Sequence, residues 1–202
     1  MKKILRALAC AATMLGVALL CNLFVRADMA EQGYIEPQQA AAAAASERET
    51  AAEIEPLECP GEKPAAVELN PQLMTLLRER CEAEGVPVAL AAAVIQVESA
   101  GDPEAVNGDC VGLMQLDSGY ARYYMEHTGV QGIAAPGDNI VAGVWYLGEL
   151  LRAYPEDMEL ALAVYNLGPG AALELWEAGA RSTAYTHRVM AAMEHFTGGK
   201  GQ

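Results

Sequence analysis

The chain has 202 residues, with 13 Lys or Arg against 27 Asp or Glu and a formal net charge of −14. Four of the basic residues lie at or before Arg26, so the remainder carries about −18, a field that repels phosphate backbones and excludes nucleic acid as a partner. No internal repeat is visible.

Lys2, Lys3 and Arg6 precede Ala7 to Val25, 19 residues without a charge. That pattern is a signal peptide or a membrane anchor over 1–27, with Val25-Arg26-Ala27 as a small-residue cleavage site in the first case. Either sends the rest of the chain out of the cytoplasm. Leu19-Leu20 before Cys21 lacks the small residue of a lipoprotein processing site. Residues 28–67 then turn to Ala, Glu, Pro and Gln, including the run Ala40 to Ala45. Few large apolar side chains are present to offset ordering entropy, so this stretch is expected to be a disordered tether.

From Glu68 the pattern becomes helical. Asn70-Pro71 reads as a cap followed by proline at the first helical position, with Leu73, Leu76, Leu77 and Cys81 on one face and Gly85 as the stop. Val86 to Gly101 is apolar over about three helical turns, with Glu98 its one ionisable residue. Asn107 to Val111 carries no clear strand pattern, and at most a short, irregular β-hairpin is expected there. Asp138 is expected to cap a helix running to about Ala153, in which Ile140, Val141, Val144, Leu147, Leu150 and Leu151 follow helical spacing and Pro155 marks the end. A helix from about Asp157 to Asn166 carries Tyr165, and Gly168-Pro169-Gly170 reads as a turn. Ser182 or Thr183 caps a last helix with Tyr185, Val189, Met193 and Phe196. The result is one mostly α domain over 68–197, followed by a flexible tail at 198–202.

Among the aromatic residues, Tyr120, Tyr123, Tyr124, Trp145 and Trp176 are candidates for sugar-facing surfaces, with Trp145 better suited to the core of its apolar helix. Cys10 and Cys21 fall in the leader, which leaves Cys59, Cys81 and Cys110 for one disulfide and one thiol; a Cys81–Cys110 bridge is one option and unpaired buried thiols another. His127, His187 and His195 are too scattered for a metal site, and no cofactor is expected.

Glu98 is the chemically loaded position. Burial disfavours the charged carboxylate, and the negative end of a helix dipole pushes the same way, so the side chain is poised to keep its proton near neutrality and act as a general acid. Downstream stand Gly112-Leu113-Met114-Gln115-Leu116 and Ala161-Leu162-Ala163-Val164-Tyr165-Asn166-Leu167-Gly168-Pro169-Gly170. Together with Glu98-Ser99, their order and spacing resemble the lysozyme-like lytic transglycosylases of the soluble-lytic-transglycosylase type, over Val88 to about His195.

The resemblance implies a lysozyme-like helical fold and cleavage of the β-1,4 bond between N-acetylmuramic acid and N-acetylglucosamine in peptidoglycan, with a 1,6-anhydro product. Glu98 falls on the single catalytic acid/base. Ser99, Asn107, Met114, Gln115, Tyr165, Asn166 and Tyr185 fall at substrate-binding positions; Tyr165 is expected to orient Glu98, Gln115 to hold an N-acetyl sugar, Asn166 to support the backbone and Tyr185 to line the groove. The chain departs from the family pattern at Gly101, where an aromatic is usual, at Asn107, where serine is usual, and at Arg181, where glutamate is usual. Peptidoglycan strands are the implied partner, with the membrane through an uncleaved leader and a secretion or conjugation machine as further candidates.

Two other readings stay open. A lysozyme-like hydrolase acting on the same bond needs a second carboxylate across the groove, for which Asp102, Asp109 and Asp117 are near enough in sequence. A wall-binding module without activity would keep the fold alone.

Overall fold

Asn70 caps the first described helix: its Oδ1 accepts from the Leu73 backbone N–H at 2.9 Å, and Pro71 opens helix α1, Pro71–Glu84. A computed structural model describes residues 68–198. The leader, the linker, Cys59 and the residues from 199 onward lie outside it. Gly85 closes α1 in the left-handed region, as the sequence implies. Leu77 and Cys81 are buried while Leu73 and Leu76 pack at the edge of the core.

Helix α2, Val88–Ser99, has six consecutive buried residues, Leu90 to Ile95. A helix with no wet face must be surrounded, and its three adjacent alanines, Ala91, Ala92 and Ala93, let neighbours approach closely. Three two-residue strands follow: β1 Val106–Asn107, β2 Cys110–Val111 and β3 Leu116–Asp117. They pair antiparallel in the order β1-β2-β3, with Asn107 opposite Cys110 and Val111 opposite Leu116. A third strand thus joins the short hairpin that was expected.

A 3-10 turn, Ser118–Tyr120, leads into helix α3, Ala121–Thr128. Helix α4 spans Pro136–Ala153, three residues earlier than Asp138 as a cap would place it. Pro136 supplies the first position, and Asp138 sits inside the first turn, where its carboxylate suits the positive helix end and accepts from the Gln131 N–H at 3.2 Å. Helix α5, Met158–Glu177, breaks at Gly168 (φ 75°, ψ 163°), a conformation open to glycine, and Pro169 starts a second arm. The expected turn is therefore a kink between two helical arms. Asp157 ties both together: its Oδ1 accepts from Leu160 N–H at 2.9 Å and its Oδ2 from Trp176 Nε1 at 2.8 Å.

Thr183 caps the last helix, α6, Ala184–Gly198, reciprocally with Thr186. The Thr186 N–H reaches Thr183 Oγ1 at 3.1 Å, and the Thr183 N–H reaches Thr186 Oγ1 at 2.9 Å. Helix α6 lies along α2, α1 packs on α4, and α4 on α5, so that α2 runs through the middle of the domain. Among the described residues no helix is long and apolar enough to cross a membrane.

Two readings that the sequence left open can now be narrowed. Cys81 and Cys110 are both free thiols, so they form no bridge; burial pushes the Cys81 thiol up to about 11. Of the candidate sugar-facing rings, Tyr124 is buried, Trp176 is held by Asp157, and Tyr123 and Trp145 cluster with His127, their centroids 4.3 to 5.6 Å apart.

Gly143 in α4 marks the tightest helix contact. A Cβ there would stand 2.4 Å from Met114 Sδ and 2.9 Å from Met114 Cβ. Alanine gains about 1 kcal/mol of helix propensity over glycine, but overpacking a filled core costs about 1–3 kcal/mol. The clash reaches the Met114 Cβ, which cannot swing away, so overpacking wins. Gly143→Ala is expected to lower unfolding free energy by about 1 kcal/mol, read as a lower urea midpoint at unchanged slope.

Candidate active site

The buried stretch of α2 ends by carrying Glu98 to the edge of the core, where the helix closes with Ala100 in the left-handed region. The Tyr185 hydroxyl donates to Glu98 Oε1 at 2.7 Å, a contact between residues 87 apart made possible by α6 lying along α2. Burial pushes the Glu98 carboxyl above its ordinary value; the Tyr185 hydrogen bond and the positive charge of Arg188 pull the other way without cancelling it. Burial, with the Glu98 charge next, also drives the Tyr165 and Tyr185 phenols well above the usual tyrosine range. Both stay neutral O–H donors.

The Tyr165 hydroxyl donates to the Met114 carbonyl at 2.8 Å and not to Glu98, and the hydroxyl that meets Glu98 is that of Tyr185. The difference lies in helix packing: Tyr165 leaves α5 toward the glycine-containing strip, whereas Tyr185 leaves the first turn of α6 toward the end of α2.

The strip Gly112 to Gln115 is bonded on several sides. Ser99 Oγ lies 2.8 Å from the Leu113 carbonyl and 3.1 Å from the Ile95 carbonyl, and accepts from Gly101 N–H at 3.2 Å. Its hydroxyl is therefore engaged with backbone groups on three sides. The Met114 side chain is 0% exposed and packs against Gly143 in the core. Gln115 sits at a positive φ of 45°, with Nε2 donating to the Gly112 carbonyl at 2.8 Å and the Ala105 carbonyl at 3.0 Å, so Oε1 is the polar atom its side chain has left to offer. Asn107 lies exposed on β1. Asn166 is exposed in α5 and makes no side-chain bond to the backbone it was expected to support.

Sequence reasoning missed Asn139. This residue is 0% exposed in the first turns of α4 and accepts from the Met114 N–H at 2.8 Å. A lone asparagine among the apolar residues of that helix was the available signal.

The acidic residues considered for a second carboxylate serve the loops. Asp102 Oδ1 accepts from Glu104 N–H at 2.9 Å, Asp117 Oδ1 accepts from Gly119 N–H at 2.7 Å, and Asp109 is exposed. Arg181, where glutamate was usual, turns back to the Trp176 and Ala180 carbonyls. Among the described residues no group of three or more His, Cys, Asp or Glu could hold a metal ion.

A partly buried glutamate bonded to Tyr185 thus stands at the end of a helix whose Ser99 is bonded to the Gly112–Gln115 strip, and that strip in turn holds Tyr165. The chain belongs to the Transglycosylase SLT domain family, whose model matches residues 75–187. Two solved structures share the fold at a TM-score of 0.54. One is an inactive mutant of lytic transglycosylase Slt from Pseudomonas aeruginosa, 24% identical over 61% of this chain and 24% of that one. The other is the 70 kDa soluble lytic transglycosylase from Escherichia coli, 23% identical over 65% of this chain and 25% of that one. The chain spans about a quarter of the length of each. The lysozyme-like, mostly helical fold expected from the sequence is the fold observed.

A carboxyl raised by folding has a definite sign in stability. Above the ordinary value of 4.5 the unfolded chain binds fewer protons at Glu98 than the folded one, so stability falls as pH rises through the folded pKa. Glu98→Gln, whose amide oxygen still accepts from Tyr185, is expected to melt at a higher temperature than the wild type at neutral pH. The difference should shrink as pH falls toward 4.5, which melting curves across pH would check.

Proposed function

We propose that the chain is an extracytoplasmic peptidoglycan lytic transglycosylase with Glu98 as its single acid and base. The observation that carries this reading is a carboxyl partly buried at the end of an apolar helix, with its proton affinity raised by burial and one oxygen fixed by Tyr185 at 2.7 Å.

Protonated Glu98 gives its proton to the glycosidic oxygen between N-acetylmuramic acid and N-acetylglucosamine as the C1–O bond breaks, releasing the 4-hydroxyl of the second sugar. Positive charge develops at C1. The resulting carboxylate takes the proton from the muramic acid's C6 hydroxyl as that oxygen bonds to C1, which closes a 1,6-anhydro ring and restores the acid. No water is consumed. The nucleophile is tethered to the reacting carbon, so its effective concentration is high and a second carboxylate to position water is not required. The Tyr185 O–H supports the carboxylate midway through the cycle, when negative charge on Glu98 peaks. In this reading Gln115 Oε1, Asn107 and Asn166 bind the polar groups of the sugars.

Digestion of purified peptidoglycan followed by mass spectrometry tests the reading. Anhydro-muropeptides are expected, and reducing-end products in their place would favour a water-using hydrolase. Glu98→Gln should lower the rate by at least about 100-fold, the lower end of general acid–base contributions. Equal activity in that variant and the wild type would assign the chemistry to another group, and inactivity of both would leave wall binding as the function.

The acid step needs protonated Glu98, so kcat/KM should fall as pH rises through its pKa. Tyr185 stabilises the charged form. Tyr185→Phe is therefore expected to move that alkaline limb to higher pH while lowering kcat by about 10-fold or more, the scale of a hydrogen bond to a charged group.

A further inference from the structure

Asn139 takes no part in the proton transfers above, yet its amide ties the strip beside Glu98 to the residue before it and to the loop ahead of α4. Its Oδ1 accepts from the Met114 N–H at 2.8 Å, and its Nδ2 donates to the Val111 carbonyl at 3.0 Å and the Ile133 carbonyl at 2.8 Å. All three partners are backbone groups, and the side chain is 0% exposed. The seat is shaped to it: a Cβ on Gly112 would lie 2.6 Å from Asn139 Nδ2, and Gly112 holds φ at +76°. From the other side the same strip receives Ser99 Oγ at the Leu113 carbonyl and the Tyr165 hydroxyl at the Met114 carbonyl, each at 2.8 Å, and Gln115 folds its own amide back onto the Gly112 carbonyl.

We propose that Asn139 is a positioning residue for glycan cleavage, fixing the Gly112–Gln115 strip from behind and through it the Gln115 amide, the Tyr165 phenol and the Ser99 end of the Glu98 helix. This rests on the lytic transglycosylase reading given above. Only a neutral side chain with one acceptor and two donors fits these three partners. An aspartate of the same shape keeps the acceptor but turns a charge toward two carbonyls. Its protonated form recovers one donor, so the loss it causes is reversible by acid.

The test measures kcat and KM on purified peptidoglycan for the full-length wild type, Asn139→Asp and Asn139→Ala, across the pH range of wild-type activity. Rates are expressed per folded molecule, with folding followed by near-ultraviolet circular dichroism. Asn139→Asp is expected to lose on the order of 100-fold in kcat/KM at neutral pH, the scale of a small misplacement of catalytic groups. Relative to the wild type, that deficit should narrow as pH falls, while Asn139→Ala stays impaired at every pH. Wild-type kinetics per folded molecule in both variants, with only the melting temperature lowered, would reduce Asn139 to a core residue and overturn the proposal. A deficit in Asn139→Asp that does not change with pH would also overturn it. Absence of anhydro product from the wild type itself would refute the underlying reading together with this one, whereas product from the wild type and unaffected variants would refute the positioning role alone.

Discussion

Leu90 to Ile95 are six residues in a row with no access to water, and the helix they form has no face to spare for a charge. Whatever ionisable group ends such a helix stands at the rim of the core, partly stripped of solvent and aimed by the most confined element of the domain. In this chain the group is Glu98. Desolvation is the largest influence on its carboxyl, and Tyr185 and Arg188 temper it without reversing it. That ordering matters chemically. A carboxyl dominated by its hydrogen bonds would ionise early and keep no proton to give, whereas one with no donor would hold its proton too tightly to release it readily.

The same helix explains why the donor is within reach. Ala91, Ala92 and Ala93 keep α2 thin, and α6 lies against it with Tyr185, Val189 and Ala192 buried. The first turn of α6 is held by the reciprocal Thr183–Thr186 cap, and Thr186 Oγ1 also lies 3.1 Å from Glu159 Oε2 in α5. Three helices therefore meet behind a single phenol, and its position is determined by packing on every side rather than by its own rotamer preference. Opposite, the strip from Gly112 to Gln115 is stitched to α2 by Ser99, to α4 by Asn139 and to α5 by Tyr165. The acid sits where these two constructions face each other.

Local signals were legible and long-range ones were not. Asn70, Pro71 and Gly85 bracket α1 because capping depends on neighbours three or four residues away, and the sequence contains all of them. Glu98 stood out for the same reason, as the only charge in its apolar stretch. Which of two tyrosines touches it was not legible, since both lie far along the chain and the choice depends on how α5 and α6 cross α2. The resemblance pointed at Tyr165, and the fold gives the contact to Tyr185. Met114 reads as a ligand-facing residue by motif but fills a gap left by Gly143, a residue 29 positions on. Pro136 was the overlooked start of α4, and Gly108-Asp109, two residues between β1 and β2, was the overlooked hairpin signal. The β3 pairing and the Asn139 bonds join segments that no local pattern connects.

The fate of the cysteines has a consequence for what braces this domain. Cys81 and Cys110 remain separate thiols, while the kinked α5 is closed on itself by Asp157, which holds Leu160 at one end and Trp176 at the other. A carboxylate clasp of this kind is indifferent to oxidants and reductants. Among the described residues the kinked arm that presents Tyr165 is thus held in shape by hydrogen bonds to one carboxylate and not by a disulfide.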